Sequence, residues 1–425
     1  MSVFSDACQN MYLPEMALYR QHFPRPQIHD VYTWALEQLR QCCPEDRITE
    51  GQRIAITAGS RGISKIQTIL RAVVNFCYER NAVPFLVPAM GSHGGATAEG
   101  QAEILCDYGI TEETMGCPIL SDMKTEVIGH IPDGRSVHMD SYAAEADGII
   151  VVNRIKPHTA FRGLYESGLM KMIVIGLGKQ IGAESIHASG FGTMAELLPL
   201  YANTAISTGK ITLGLAILEN AYDETAELHA MKGEDIPVLE PGLLRRAKEL
   251  MPRILFDETD VLIVDKIGKN YSGDGHDPNI TGRFLTPYAD GGIRAQRMVV
   301  LDLSYETHGN GCGLGLADIT TRRAWSKLDY EKMNANILTN TVLAGASVPP
   351  FADSDHDAIA VAIRSCNGID RLAPKIIRIS NTSSLEYITI SNALIPAAEN
   401  NEFLEQIHGP EPFLFDASGN LTDLD

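Results

Sequence analysis

The chain has 425 residues, 44% hydrophobic and 21% charged, with a formal net charge of −19 at pH 7. That length exceeds one ordinary core and that composition excludes a disordered chain, so two globular domains are expected. The acidic balance argues against nucleic acid or an anionic membrane as partner, and it obliges any anionic substrate to find a local basic pocket.

The opening MSVFSDACQNMYLPEM has no basic stretch leading into an apolar one, and no apolar run in the chain has the length of a bilayer crossing. A soluble, cytoplasmic protein is expected, with no membrane role. Cys8, Cys42, Cys43, Cys77, Cys106, Cys117, Cys312 and Cys366 form no CxxC pair, which excludes a zinc or iron–sulfur framework and a disulfide scaffold. IHDVYTWALEQLRQCC, from Ile28, has helical apolar spacing. RIAITAG, from Arg53, reads as a buried strand and SRGISKIQTILRAVVNFCYER as the helix after it. AVPFLVPAMGSHGG is strand then loop, and TAEGQAEILCDYG a helix capped by Thr97. IPDGRSVHMDSY reads as a hairpin carrying His138, and GIIVV, ending at Val152, as another buried strand.

This β-loop-α rhythm predicts an α/β fold with mostly parallel sheets and covering helices. The loops after the strands would then gather Arg61, His93 and His158 at one edge. Further on, MAELLPLYANTAIST is a predicted helix, KITLGLAIL a strand and EPGLLRRAKELM a helix with Pro241 near its start. A domain change is placed near residue 250, giving domains 1–250 and 251–425. The second, also α/β, has strands at MVVLDLS, KIIRIS and EYITIS and helices at RRAWSKLDYEKMNANILTN and DAIAVAIRS. The tail FDASGNLTDLD is polar and expected to be loose.

Two glycine-rich runs are decoys. GLGKQ ends like a phosphate loop, but Ile173 stands where glycine is needed and Gln180 replaces the metal-binding hydroxyl. GNGCGLG lacks the third glycine of a dinucleotide loop and reads as a tight turn. The segment from Val152 to Gly190 gathers the chemistry instead: His158, Lys171, Lys179 and His187, with Arg154, Lys156 and Arg162.

His93 in GSHGG and His158 in NRIKPHTAF each follow a buried strand, and two such histidines can supply acid and base groups near neutral pH. The plain alternative, that both only cap loops, is equally open on pattern alone. Lys171, in ESGLMKMIVIG, either extends its amine to water or is held in apolar company as a nucleophile or covalent anchor. His187, in GAESIHASG, suits a soft metal such as nickel or copper.

Taken together, GSHGG, NxxxPH, GLMKM, IGLGK and a histidine sixteen positions beyond Lys171 (187 − 171) resemble the nickel-pincer lactate racemase family. Arg61, in AGSRG, stands where that family has an arginine. The resemblance implies two α/β domains, with 1–250 binding the cofactor and 251–425 closing a cleft over it. It implies an isomerase that inverts C2 of a 2-hydroxy acid by hydride abstraction and return through a 2-keto acid. The implied cofactor is nickel in a pyridinium-3-thioamide-5-thiocarboxylate mononucleotide tethered to Lys171, with His187 as metal ligand and Ser60 and Arg61 beside it. His93 and His158 would be the catalytic pair, exchanging the hydroxyl proton on opposite sides of C2. Maturation and nickel-insertion proteins are implied partners, and a homo-oligomer is compatible.

Departures from the family concern the substrate. Ala58 replaces an aspartate, and Gly282 and Leu285 replace a Gln-x-x-Lys pair after the turn that opens DPNITGRFL. Lys269, Asn279 and Arg283, with Arg61, are then the candidate substrate-binding residues, and a polar cleft points toward longer acids such as aldonates. Two other classes compete. A nicotinamide-dependent 2-hydroxyacid dehydrogenase would show a free-cofactor absorbance change, and a non-catalytic metal or ligand binder would show binding without turnover.

Overall fold

The computed structural model describes residues 3–8, 11–60 and 62–424. They divide into two compact units, Pro24–Met251 and Met1–Phe23 joined with Pro252–Asp425. Both units are α/β. The first strand, β1 (Met16–Gln21), is in the second unit's sheet.

The unit Pro24–Met251 is built on β2 (Arg53–Ala58), β3 (Val83–Pro88), a separate hairpin of β4 (Thr125–His130) and β5 (Ser136–Asp140), then β6 (Gly148–Arg154), β7 (Ile211–Glu219) and β8 (Thr225–Lys232). Its five-stranded sheet has the order β3-β2-β6-β7-β8. The β2/β3, β2/β6 and β6/β7 pairs are parallel, and β8 returns antiparallel to β7. A parallel sheet is covered on both faces, which is why its strands are continuous apolar runs. In β6 the alternation divides the two cores: Ile149 and Val151 pack with Leu197, Tyr201 and Leu244, whereas Ile150 and Val152 pack with Leu36, Leu39 and Leu70. Parallel pairing also sets the carboxyl ends of β2, β3 and β6 at one edge.

Thr97 caps helix Ala98–Asp107 by accepting from Gly100 N, as expected from its hydroxyl ahead of an apolar-spaced run. The helix expected from Glu240 instead spans Ile236–Leu250, with Pro241 inside it. Proline at that position cannot bond the carbonyl four residues back, Pro237 O, and the Tyr165 hydroxyl donates to that oxygen at 2.7 Å.

The second unit's sheet follows β9 (Glu258–Ile267), β10 (Arg294–Leu303), β11 (Ile319–Thr321), β12 (Phe351–Ala352), β13 (Ile376–Ile379), β14 (Tyr387–Ser391) and β15 (Leu404–Glu411). Its order is β12-β11-β10-β9-β13-β14-β1-β15, parallel from β12 to β13 and antiparallel beyond. The single helix expected over RRAWSKLDYEKMNANILTN is two, Arg322–Ser326 and Tyr330–Asn340, because Asp329 caps a fresh start by accepting from Glu331 N and Lys332 N. The tail is not loose: Leu421 is buried, its N–H donates to Asp355 Oδ2 at 2.9 Å, and Asp423 pairs with Arg378 at 2.8 Å.

Candidate active site

Ser60 and His93 come from adjacent strands. The loop after β3 is pressed onto helix Ala98–Asp107: a Cβ on Gly94, which has φ +66°, would lie 2.6 Å from the Gly100 carbonyl carbon. This packing leaves His93 exposed, with its Nδ1 in contact with the Ser60 hydroxyl. If Ser60 accepts there, Nε2 carries the lone pair a base requires. Arg61 lies outside the described residues. Ala58 is buried at the end of β2 with its carbonyl accepting from Ala89 N at 2.8 Å.

His158 sits in a loop braced from beneath. Glu166, buried, accepts from His158 N at 2.8 Å, from Lys248 Nζ at 2.6 Å and from Arg162 at 3.3 Å. The ring packs on Phe161 and Phe191 at centroid distances of 4.5 and 6.0 Å. Ala160 N donates to Nδ1 at 3.0 Å, and Nε2 lies 2.7 Å from Lys171 Nζ. Ala160 N–H and the Lys171 amine thus face the two ring nitrogens, and a neutral ring has a lone pair for only one of them. Burial first, then the charge of Lys171, holds the His158 pKa well below that of an ordinary histidine, so the ring is neutral at physiological pH.

Lys171 ends the short helix Leu169–Lys171, which continues as a π-turn through Met172–Gly176. Glu240 Oε2 caps that helix by accepting from Met170 N at 2.9 Å, and Asn153 Nδ2 holds Gly168 O at 2.9 Å. Burial pushes the Glu240 carboxyl up to about 7 despite the N–H groups of Met170 and Leu169. His187 ends helix Lys179–His187 and meets Phe191 edge-on at 5.3 Å. Its Nδ1 is buried and has no hydrogen-bond partner among the described residues, and burial with Lys171 lowers its pKa to about 4.

Lys171 therefore touches His158, and His158 and His187 share Phe191; Ser60 and His93 form a second group. Gly91 N donates to Gly176 O at 3.3 Å, joining the His93 loop to the π-turn. The sequence reading missed Gln101, Asp140, Glu166 and Glu240. Glu166 had a legible signal, an acid inside a basic and apolar segment; Gln101 lies only eight positions beyond His93 but reads as an ordinary helix residue, and Asp140 and Glu240 come from far along the chain.

The second unit's candidates are engaged within their own surroundings. Lys269 Nζ donates to Gly273 O, and Asn279 Nδ2 to Asp277 Oδ1 at 2.8 Å. Arg283 pairs with Asp318 at 2.8 Å and donates to Ala295 O at 3.1 Å. Gly282 has a backbone reason to be glycine: at φ +71° a Cβ would lie 2.2 Å from Ile293 O. GNGCGLG forms turns and a 3-10 segment, Leu314–Leu316, instead of opening an α-helix, which removes the dinucleotide reading of that run.

Among the described residues no group of three or more His, Cys, Asp or Glu side chains is placed to hold a metal ion, and no helix is long and apolar enough to cross a membrane. Residues 34–196 match the lactate racemase N-terminal domain. Comparison with curated proteins gives no match. Among solved structures, the lactate racemase apoprotein from Thermoanaerobacterium thermosaccharolyticum aligns with a TM-score of 0.44 and 14% identity, covering 66% of this chain and 69% of that one.

Proposed function

We propose, for a chain that belongs through residues 34–196 to the lactate racemase-like family, that it is a nickel-dependent racemase or epimerase inverting C2 of a 2-hydroxy acid. The observation that carries the reading is the placement of His158 and His187 on either side of Phe191, with Lys171 touching His158 and one buried imidazole nitrogen unpartnered among the described residues.

That nitrogen fits a metal-binding role: a neutral imidazole is a ligand, and its pKa near 4 keeps it neutral. Among the described residues no cluster of protein ligands accompanies it; a sulfur-bearing pyridinium mononucleotide anchored at Lys171, with Ser60 and Arg61 as neighbours, would supply the remaining donors. When bound, that cofactor supplies an electron sink for the C2 hydrogen and its electron pair.

The chain's own residues handle the proton. One of His93 and His158 takes the hydroxyl proton while the planar 2-keto acid forms, and the other returns a proton on the opposite side. Ser60 orients His93; Glu166, Phe161 and Phe191 hold His158. Taking a proton at His158 Nε2 requires the ring's own proton on Nδ1 and the Ala160 N–H turned aside. Arg61 binds the substrate carboxylate or a nearby group of the cofactor.

The substrate is a polyhydroxylated acid in preference to lactate, because Ala58, Gly282 and Leu285 remove side chains the lactate enzymes have. The protein works in the cytoplasm and receives its cofactor from maturation and nickel-insertion proteins. The test is intact-mass analysis of protein produced with those proteins and nickel. A covalent adduct is expected on the unaltered chain and absent from Lys171→Ala. An adduct persisting in Lys171→Ala contradicts the assignment.

A further inference from the structure

Lys179 is a heavily constrained cation in the unit Pro24–Met251. It is wholly buried and holds a left-handed backbone, φ +54°, at the first residue of the helix that ends in His187. A non-glycine residue keeps such a conformation only where its surroundings over-determine it. Here they do so through the side chain. Nζ donates to Pro88 O at the end of β3 and to Gln101 Oε1 at 3.1 Å, and lies 3.1 Å from Asp140 Oδ2.

Gln101, wholly buried too, directs its amide into the other loop, donating to Gly91 O at 2.9 Å and His93 O at 3.3 Å. Asp140 completes the set by accepting from Ala143 N at 2.9 Å through Oδ1. A continuous run of buried polar contacts thus extends from the helix bearing His187 to the backbone of His93.

A buried ion pair is weak evidence for stability, since an apolar pair of similar volume often serves as well. The destination of these contacts argues for more than core filling. Pro88, Gly91 and His93 all belong to the end of one strand and the loop that follows it. We infer that Lys179, Gln101 and Asp140 form a positioning unit that fixes the His93 loop against the His187 helix. The inference rests on the reading of His93 and His187 as site residues.

The experiment is amide hydrogen exchange on the full chain, combined with kinetics of the loaded enzyme. Gln101→Leu cuts the link to the loop and keeps the ion pair. Gln101→Glu can still meet Lys179 but has no amide to donate to Gly91 and His93. Both are expected to speed exchange of residues 91–96 by roughly tenfold or more while β9, in the other unit, is unchanged. In the loaded enzyme both should lower kcat roughly ten- to a hundredfold with little change in KM. Rescue by Gln101→Glu would overturn the inference, because only the charge at Lys179 would then matter. Unchanged exchange of residues 91–96 would overturn it as well.

Should the Gln101 variants fold poorly, Lys179→Met combined with Asp140→Asn removes the pair without stranding a charge. The same selective loss of loop protection is expected, and uniform acceleration across the whole unit would reduce the network to ordinary core and overturn the inference. Exchange is read without cofactor. Selective loss of loop protection in a protein whose unaltered form racemises nothing would retire the function proposed above and leave this linkage supported.

Discussion

The loops that carry His93, His158 and Lys171 differ from the loop after β9 in what their polar residues are joined to. In the first set a buried polar side chain bonds the backbone at or beside each candidate: Gln101 at His93, Glu166 at His158, and Glu240 at Met170 next to Lys171. After β9, Lys269 and Asn279 bond within their own loop, and Arg283 serves Asp318. Buried support costs desolvation and persists where a geometry must be held. The contrast fits the proposal that the first set carries the chemistry, and it makes the second set the weaker candidates for substrate contact.

The largest effects should come from the supported histidines. Replacing His93 or His158 by Ala is expected to lower turnover in both directions by about a hundred- to ten-thousand-fold, because in the proposed mechanism each direction uses both rings once. Chiral analysis of the product checks this, and near-normal turnover in either variant would remove that histidine from the mechanism.

Next comes Glu240. Its carboxyl titrates about 7 in the folded chain against an ordinary value of 4.5, so the native state binds the proton more tightly than the unfolded one. Stability contributed by the protonated form is therefore complete below the unfolded value and lost as pH rises toward 7, by up to about 3 kcal/mol. Glu240→Gln should flatten that slope in denaturant melts between these two pH values. An unchanged slope would show that Glu240 is not the titrating support of the Lys171 helix.

The smallest effect is expected at Arg283. Arg283→Ala should cost stability by no more than about 1 kcal/mol through the partly exposed pair with Asp318, and leave KM within a few-fold. A KM rising more than about tenfold in steady-state kinetics would place Arg283 at the substrate and break the comparison.

Much of this was legible in the sequence because strand runs and the residues after them are local signals. GIIVV, RIAITAG and AVPFLVP are buried strands, and Ser60, His93 and His158 follow the three of them at one sheet edge. Apart from Glu166, the supports were not legible. Glu240 reaches Met170 across seventy positions and Lys179 reaches Gln101 across seventy-eight, separations that no periodicity encodes. β1 was missed for the same reason: MALYRQ becomes a strand by pairing with β14 and β15, more than three hundred residues away. The tail misled because its polar residues suggested solvent, whereas Leu421, buried beside Asp355, and the Asp423–Arg378 pair tie it down.

The measurement that bears most directly on the central claim is turnover of the loaded enzyme in deuterated water against a panel of 2-hydroxy acids, lactate and sugar acids included. Inversion with little deuterium at C2 is the predicted result, because the hydrogen that leaves C2 returns to it while only the hydroxyl proton passes through His93 and His158. A C2 position that fills with solvent deuterium as the product inverts would contradict the account, since the histidines would then be moving the C2 hydrogen itself as a proton.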